Sequence, residues 1–141
     1  MNMKYEGSSF LLRVILGITF FLHGLSKFQG GITNIAGWFD SIGLPGFLAY
    51  AVAIIELAGG IAMILGIGTR LVAVLFAIVM IGAIFTVKIS AGFMGNGQAA
   101  GYELDLLLLV LSIHFAVNGS RLWSLDSIIS KSPSDEKFIT H

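Results

Sequence analysis

The chain of 141 residues has the length of one domain, and 56% of its residues are hydrophobic while only 11% are charged. Soluble domains have about 25% charged residues, so this composition indicates a protein of the lipid bilayer. The formal net charge is zero, which argues against nucleic-acid binding because surfaces that bind nucleic acids are basic. The chain contains no cysteine, which excludes disulfides, thiolate metal sites and thiol redox chemistry on the chain itself.

Four apolar windows have the length of about 20 residues that a helix needs to cross the hydrocarbon core. They cover residues 8–28, 46–66, 70–90 and 102–121. We therefore predict an all-α membrane protein, with an antiparallel four-helix transmembrane bundle within residues 1–126. The first window contains Arg13 and no small-residue cleavage site, so we interpret it as a retained span and not as a signal peptide.

The connections between these windows differ in character. Residues 35–42 place their apolar side chains on one side, which predicts a short interfacial helix in the first outer loop. The short Gly66-Ile67-Gly68 connection predicts a tight antiparallel hairpin, and the glycine-rich residues 92–101 predict a flexible loop. Residues 127–141 predict a polar, disordered cytoplasmic tail.

Basic residues are distributed unevenly between the two sides of the expected bundle. The two longer loops contain only Lys27 and Lys88, whereas the amino end, the hairpin turn and the carboxyl tail contain the other six. Those six are Lys4, Arg13, Arg70, Arg121, Lys131 and Lys137. Because cytoplasmic segments carry the excess of lysine and arginine, we predict a multi-pass protein whose termini are both cytoplasmic.

Ionisable side chains inside the spans are informative, because exposing one to lipid costs at least about 2.5–3.5 kcal/mol. These residues are Arg13, His23, Lys27, Glu56, Lys88, Glu103, Asp105 and His114. At about 100° per residue, Glu103, Val110 and His114 share one face of the fourth span. We expect that face to line the interior, with Asp105 nearly opposite and in contact with water. An extended Arg13 is expected to reach Glu56.

Three interpretations of these charges remain open. In the first, opposite charges pair and only hold the bundle together. In the second, they line a polar pocket for a small ligand or a proton path. In the third, Lys27 and Lys88 extend to the headgroups. The candidate residues for a buried ligand site are Arg13, His23, Lys27, Glu56, Glu103 and His114. No metal site is expected, because the two histidines lie in separate spans without a third ligand.

Several short motifs follow one another in a characteristic order. They are Arg13-Val14-Ile15-Leu16-Gly17, His23-Gly24-Leu25-Ser26-Lys27-Phe28, Glu56-Leu57-Ala58-Gly59-Gly60, Tyr102-Glu103-Leu104-Asp105-Leu106-Leu107 and Ser124-Leu125-Asp126. In this order and spacing they resemble the DoxX family of small four-span bacterial membrane proteins. The resemblance covers residues 8–126, and the charged positions of the family motif correspond to Arg13, Lys27, Glu56 and Glu103.

The resemblance implies an oxidoreductase component of the bacterial cytoplasmic membrane, since the family is named after a membrane subunit of a thiosulfate:quinone oxidoreductase. It implies links to quinones, catechols and oxidative stress. The implied partners are the lipid bilayer, a quinone or phenolic small molecule and a soluble redox enzyme, with the oligomeric state left open. No cofactor is visible in the sequence, so a quinone would be a substrate. The alternative is a non-enzymatic membrane scaffold or a small exporter of phenolic compounds.

Overall fold

The computed structural model describes residues 2–129, which form helices and connecting segments with a single isolated bridge between Gly95 and Ala100. The α-helices are α1 (Met3–Gln29), α2 (Ile32–Ser41), α3 (Phe47–Leu65), α4 (Thr69–Ala83), α5 (Glu103–Asn118) and α6 (Leu125–Ile129). After α4 the chain continues through a π-helical turn, Ile84–Lys88, and a 3-10 turn, Ile89–Ala91. Of the tail predicted to be disordered, 127–129 belong to α6, and 130–141 lie outside the described residues.

Among residues 2–129, three helices are long and apolar enough to cross a membrane. They are Met3–Gln29, Phe47–Leu65 and the continuous segment Thr69–Ala91. The fourth apolar window forms α5, whose 16 residues give a helix about 24 Å long, shorter than a hydrocarbon core of about 30 Å. The all-helical membrane fold is thus confirmed, whereas the fourth span and the interfacial position of α2 stay predictions.

The outer surface of the bundle is apolar along every long helix. Leu11, Ile54, Ile78 and Leu107 lie on α1, α3, α4 and α5 in turn, and each is more than half exposed. A contiguous apolar surface of this kind promotes aggregation in water, whereas in a bilayer it contacts acyl chains of equal polarity. The arrangement of side chains therefore agrees with the membrane location that the composition indicates.

Aromatic and aliphatic side chains fill the centre of the bundle. The ring of Phe20 on α1 stacks on that of Phe76 on α4, with centroids 3.8 Å apart and an angle of 11° between the planes. Leu16, Met63 and Phe115 are fully buried around this pair. The middle of the molecule is consequently a packed aromatic and aliphatic core.

Helices α1 and α3 approach each other closely because glycines face one another. A Cβ atom placed on Gly17 would lie 2.8 Å from the carbonyl oxygen of Gly60, and one on Gly60 would lie 2.6 Å from the backbone nitrogen of Phe21. One on Gly24 would lie 2.6 Å from the nitrogen of Leu57. Small residues at such contacts let membrane helices pack backbone against backbone, and here they bring the side chains of α1 within reach of α3.

The two ends of the bundle are built differently. At the turn end, α3 ends at Leu65 and is capped by Gly66, which adopts φ +72°, and α4 starts at Thr69, so the expected tight hairpin is confirmed. The loop end carries α2 and residues 92–101, whose closing backbone bonds run from Tyr102 N to Gly92 O (3.2 Å) and from Glu103 N to Phe93 O (3.0 Å). Flexibility of that loop stays a prediction.

The contact between α1 and α3 makes Gly60 sensitive to enlargement. We expect Gly60→Ala to force the two helices apart and cost about 1–3 kcal/mol, which thermal unfolding in mild detergent would record as a lower midpoint. Gly82→Ala on α4 is the matched control, since a Cβ atom there meets nothing within 4 Å. Equal midpoints for the two variants would contradict the close approach.

Candidate functional site

One buried ion pair joins α1 to α3. Lys27 Nζ donates to Glu56 Oε2 at 2.6 Å, and the side chain of Glu56 is 3% exposed while that of Lys27 is 25% exposed. Helical side chains lean towards the amino end of their own helix, so on antiparallel helices these two lean towards each other. Glu56 lies about 14 Å along α3, deep enough that its charge requires the lysine as a counter-ion.

A second ion pair joins the end of the α4 segment to the start of α5. Lys88 Nζ donates to Asp105 Oδ1 at 2.9 Å, with side-chain exposures of 27% for the lysine and 4% for the aspartate. The arrangement repeats that of the first pair, because a buried carboxylate is again neutralised by a partly exposed lysine. Each of the four apolar windows therefore contributes one charge to a buried pair.

The π-helical turn determines where Lys88 points. Phe76, Met80 and Ile84 form the buried stripe of this helix, and Lys88 is the last residue of the π-helical turn that follows. A π-helix closes bonds from residue i to i+5, so it turns less per residue than an α-helix and offsets the drift that a stripe of residues four apart shows along the α-helix before it. The turn therefore keeps Lys88 in line with the buried stripe and directs it towards α5.

The two pairs and a histidine form what we call the charge cluster: His23, Lys27, Glu56, Lys88 and Asp105. His23 is half-buried one turn before Lys27 on α1, and both His23 and Asp105 lie within electrostatic range of the Glu56 carboxylate. The cluster offers two ammonium donors, two carboxylate acceptors and an imidazole that serves as either. Within residues 2–129, no three His, Asp or Glu side chains lie close enough together to hold one metal ion.

Arg13 is fully buried at the other end of the bundle and binds backbone oxygens there. Its Nη1 donates to Leu122 O at 3.1 Å and to Ser120 Oγ at 3.3 Å, and its Nη2 donates to Trp123 O at 2.9 Å. The guanidinium carbon also lies 5.1 Å from the centre of the Phe10 ring, a cation–π contact. Arg13 thus fastens α1 to the segment that follows α5.

Asp126 fastens the same segment to the hairpin turn. Its Oδ1 accepts from Gly68 N at 2.8 Å, its Oδ2 accepts from Thr69 N at 3.1 Å, and its own N–H donates to Gly66 O at 3.0 Å. A carboxylate on the first N–H groups of α4 satisfies donors that the helix leaves unpaired and complements its dipole. The Ser124-Leu125-Asp126 motif is therefore part of the structural connection at the turn end.

The structure corrects the orientation expected for the fourth window. Asp105, expected in water, is 3% exposed and ion-paired, whereas Glu103 and Val110, expected in the interior, are exposed. The two carboxylates do lie on opposite faces, but the face that packs on α4 is the one with Leu108 and Phe115. Leucines surround this helix on all sides, so its hydropathy pattern favours neither orientation.

The expected contact between Arg13 and Glu56 is also wrong. Arg13 binds the chain after α5, and Glu56 is neutralised by Lys27. His114 lies apart from His23, and its Nδ1 is 3.3 Å from the side-chain nitrogen of Asn118.

Of the six candidate residues, the structure brings together only three. His23, Lys27 and Glu56 belong to the charge cluster, while Arg13, Glu103 and His114 lie elsewhere. Lys88 and Asp105 complete the cluster in their place. The signal that favours Lys88 and Asp105 in the sequence is their position near the same end of adjacent apolar windows, where opposite charges can meet.

Comparison with known proteins gives several similarities. A family model described as DoxX matches residues 8–89, a range that contains Lys27, Glu56 and Lys88. The chain is 53% identical to “Putative oxidoreductase CatD” of Bacillus subtilis (strain 168) over 131 residues, 93% of each chain. It is 34% identical to “Uncharacterized membrane protein Rv3486” of Mycobacterium tuberculosis over 130 residues, 85% of this chain and 80% of that protein. No solved structure matches it significantly.

The contrast between the two acidic residues of α5 yields a direct test. We expect Asp105→Asn to destabilise the protein by about 1–3 kcal/mol, because it leaves the Lys88 ammonium without its counter-ion. Glu103→Gln removes an equal charge from an exposed position, and we expect a change within about 0.5 kcal/mol. The unfolding midpoints of the two variants are compared in the same detergent. A larger loss of stability for Glu103→Gln than for Asp105→Asn would contradict the structure and indicate that Glu103 is the buried residue.

Proposed function

Because the chain belongs to the DoxX family, we propose that it is the membrane component of an oxidoreductase whose charge cluster binds a quinone or catechol-like ring. The observation that carries this proposal is a pair of buried carboxylates, each bound by a partly exposed lysine, with His23 one turn from Lys27 in an otherwise apolar bundle. The name of the 53% identical relative supports the redox part of the proposal.

The chemistry of the cluster suits a flat apolar ring that carries two oxygens. The ammonium groups of Lys27 and Lys88 can donate hydrogen bonds to quinone oxygens, and the carboxylates of Glu56 and Asp105 can accept them from catechol hydroxyls. Both lysines are about one-quarter exposed, so a ligand that arrives from the bilayer meets these donors first. The carboxylates behind them then become available as the pairs open.

Conversion between a catechol and its quinone moves two protons and two electrons. We assign the protons to Glu56, Asp105 and His23, whose side chains can act as general acids and bases. The chain has no cysteine, and we assign the electrons to a soluble redox enzyme that docks on the membrane component. In this proposal, the chain binds the ring and exchanges protons with it, and the soluble partner transfers the electrons.

Binding of defined probes to the full-length protein in mild detergent tests the proposal. We expect duroquinone and catechol to raise the thermal unfolding midpoint, because a ligand that binds only the folded state stabilises it. His23→Asn and Glu56→Gln are expected to lose this increase. Glu103→Gln is the control, because it removes the same charge as Glu56→Gln. The probes are expected to raise the unfolding midpoint of this variant as they do that of the unmodified protein.

The His23→Asn variant keeps the test decisive if Glu56→Gln fails to fold, since His23 is half-buried and makes neither of the two ion pairs. Ring binding is contradicted if neither probe stabilises the unmodified protein, or if Glu103→Gln loses the effect as well. A soluble redox enzyme that copurifies without any bound ring would then favour the scaffold alternative.

We also propose that α1, α3, the α4 segment and α5 all cross the bacterial cytoplasmic membrane, with both termini cytoplasmic. The turn end keeps Lys4, Arg70 and Arg121 exposed, whereas Lys27 and Lys88 towards the loop end are neutralised by acidic partners. Within residues 2–129, the basic charge without an ion-pair partner is therefore concentrated at the turn end, in agreement with the positive-inside rule.

Reporter fusions test this topology. Alkaline phosphatase fused after His141 is expected to be inactive, because it would remain in the cytoplasm, and green fluorescent protein at the same position is expected to fluoresce. Phosphatase fused after Gly43, beyond α2, is the control and is expected to be active. Phosphatase activity from the fusion at His141 would rule out cytoplasmic termini.

A further inference from the structure

A second polar site lies at the turn end, away from the charge cluster. A cavity of about 390 Å³ opens between the start of α4 and the segment that follows α5. Arg70, at the start of α4, and Arg121, after α5, both line the cavity, and both are exposed. This site has no part in the ring binding proposed above.

The side chains of Arg70 and Arg121 lie close to the same segment of the chain. A Cβ atom placed on Gly119 would lie 3.1 Å from Arg70 Nε, so the Arg70 side chain lies against the segment that carries Arg121 two residues later. Neither arginine forms an ion pair within the part of the chain that the structure describes. Among residues 2–129, two cations therefore share one cavity without a carboxylate bound to either.

The remaining polar groups of the cavity offset only part of its positive charge, since one carboxylate lines it together with two arginines. Asp126 also lines it, but both carboxylate oxygens already accept backbone N–H groups of Gly68 and Thr69. Thr69 is a lining residue as well, and its buried hydroxyl has no hydrogen-bond partner among residues 2–129. Buried hydroxyls are normally paired, so this wall retains an unused hydrogen-bonding group.

We propose that this cavity binds a phosphate-type anion, either the headgroup of an anionic lipid or free phosphate. Arginine matches phosphate geometry by donating two parallel hydrogen bonds, and two arginines that line one cavity can both contact the anion. The cavity is larger than one phosphate group and has room for the glycerol of a headgroup. Its place at the basic end of the bundle corresponds to the anionic leaflet of the membrane.

Native mass spectrometry of the full-length protein in neutral detergent measures this binding. The probe is dioleoyl phosphatidylglycerol, with dioleoyl phosphatidylcholine as the zwitterionic comparison, and inorganic phosphate is added in a second arm. We expect Arg70→Gln and Arg121→Gln each to weaken phosphatidylglycerol binding about tenfold, the effect of losing a charge-assisted contact. Lys4→Gln removes an exposed charge at the same end, outside the cavity lining, and is expected to bind normally.

Thr69→Val provides a further variant whose outcome differs from that of simple structural damage. The substitution removes an unpaired hydroxyl and keeps the shape, so the unfolding midpoint without ligand is expected not to fall. Anion binding is expected to weaken by a smaller factor than in the arginine variants. Unfolding midpoints of all the variants show whether each one is folded when its binding is measured.

The two arms distinguish the source of the anion. Binding of phosphatidylglycerol that inorganic phosphate does not reproduce identifies a lipid headgroup, and binding of phosphate alone with the same dependence on Arg70 and Arg121 identifies the free ion. The proposal is overturned if both arginine variants bind like the unmodified protein. It is equally overturned if Lys4→Gln weakens binding as much as they do, since this would show a general effect of charge.

Discussion

A carboxylate within a layer of hydrocarbon requires a cation beside it, and the loop half of this protein is organised around that requirement. Lys27 neutralises Glu56 between α1 and α3, and Lys88 neutralises Asp105 between the α4 segment and α5. These are also the two helix pairs with the most extensive contact. The same pairing of helices therefore determines the packing and assembles the polar site.

The close backbone contact between α1 and α3 at their glycines makes the ion pair between Lys27 and Glu56 possible. Water supplies no hydrophobic force between helices inside a bilayer, so close van der Waals contact has to hold them together. The glycines at 17, 24 and 60 remove the Cβ atoms that would keep α1 and α3 apart. Lys27 then reaches Glu56 across a narrow gap, and the ion pair adds electrostatic attraction to the contact.

Arg13 and the two lysines of the charge cluster differ in how many of their hydrogen-bond donors remain available. Arg13 directs both terminal nitrogens at oxygens of the chain after α5 and is completely buried, so its role is to hold segments together. Lys27 and Lys88 each have three donors, remain about one-quarter exposed and bind one carboxylate oxygen apiece. This difference gives Arg13 a structural role and is the basis of our proposal that the charge cluster binds a ligand.

The sequence by itself determined the membrane class, the helical windows and the hairpin at residues 66–68, because hydropathy, segment length and turn glycines are local properties. Pairing of opposite charges was also predictable, since no unpaired charge is stable in lipid. Only the tertiary structure decided that Asp105 and not Glu103 faces inwards, and that Lys27 and not Arg13 reaches Glu56. Both choices depend on how a helix is rotated against its neighbours, and a helix with leucines on every side contains no local signal for that rotation.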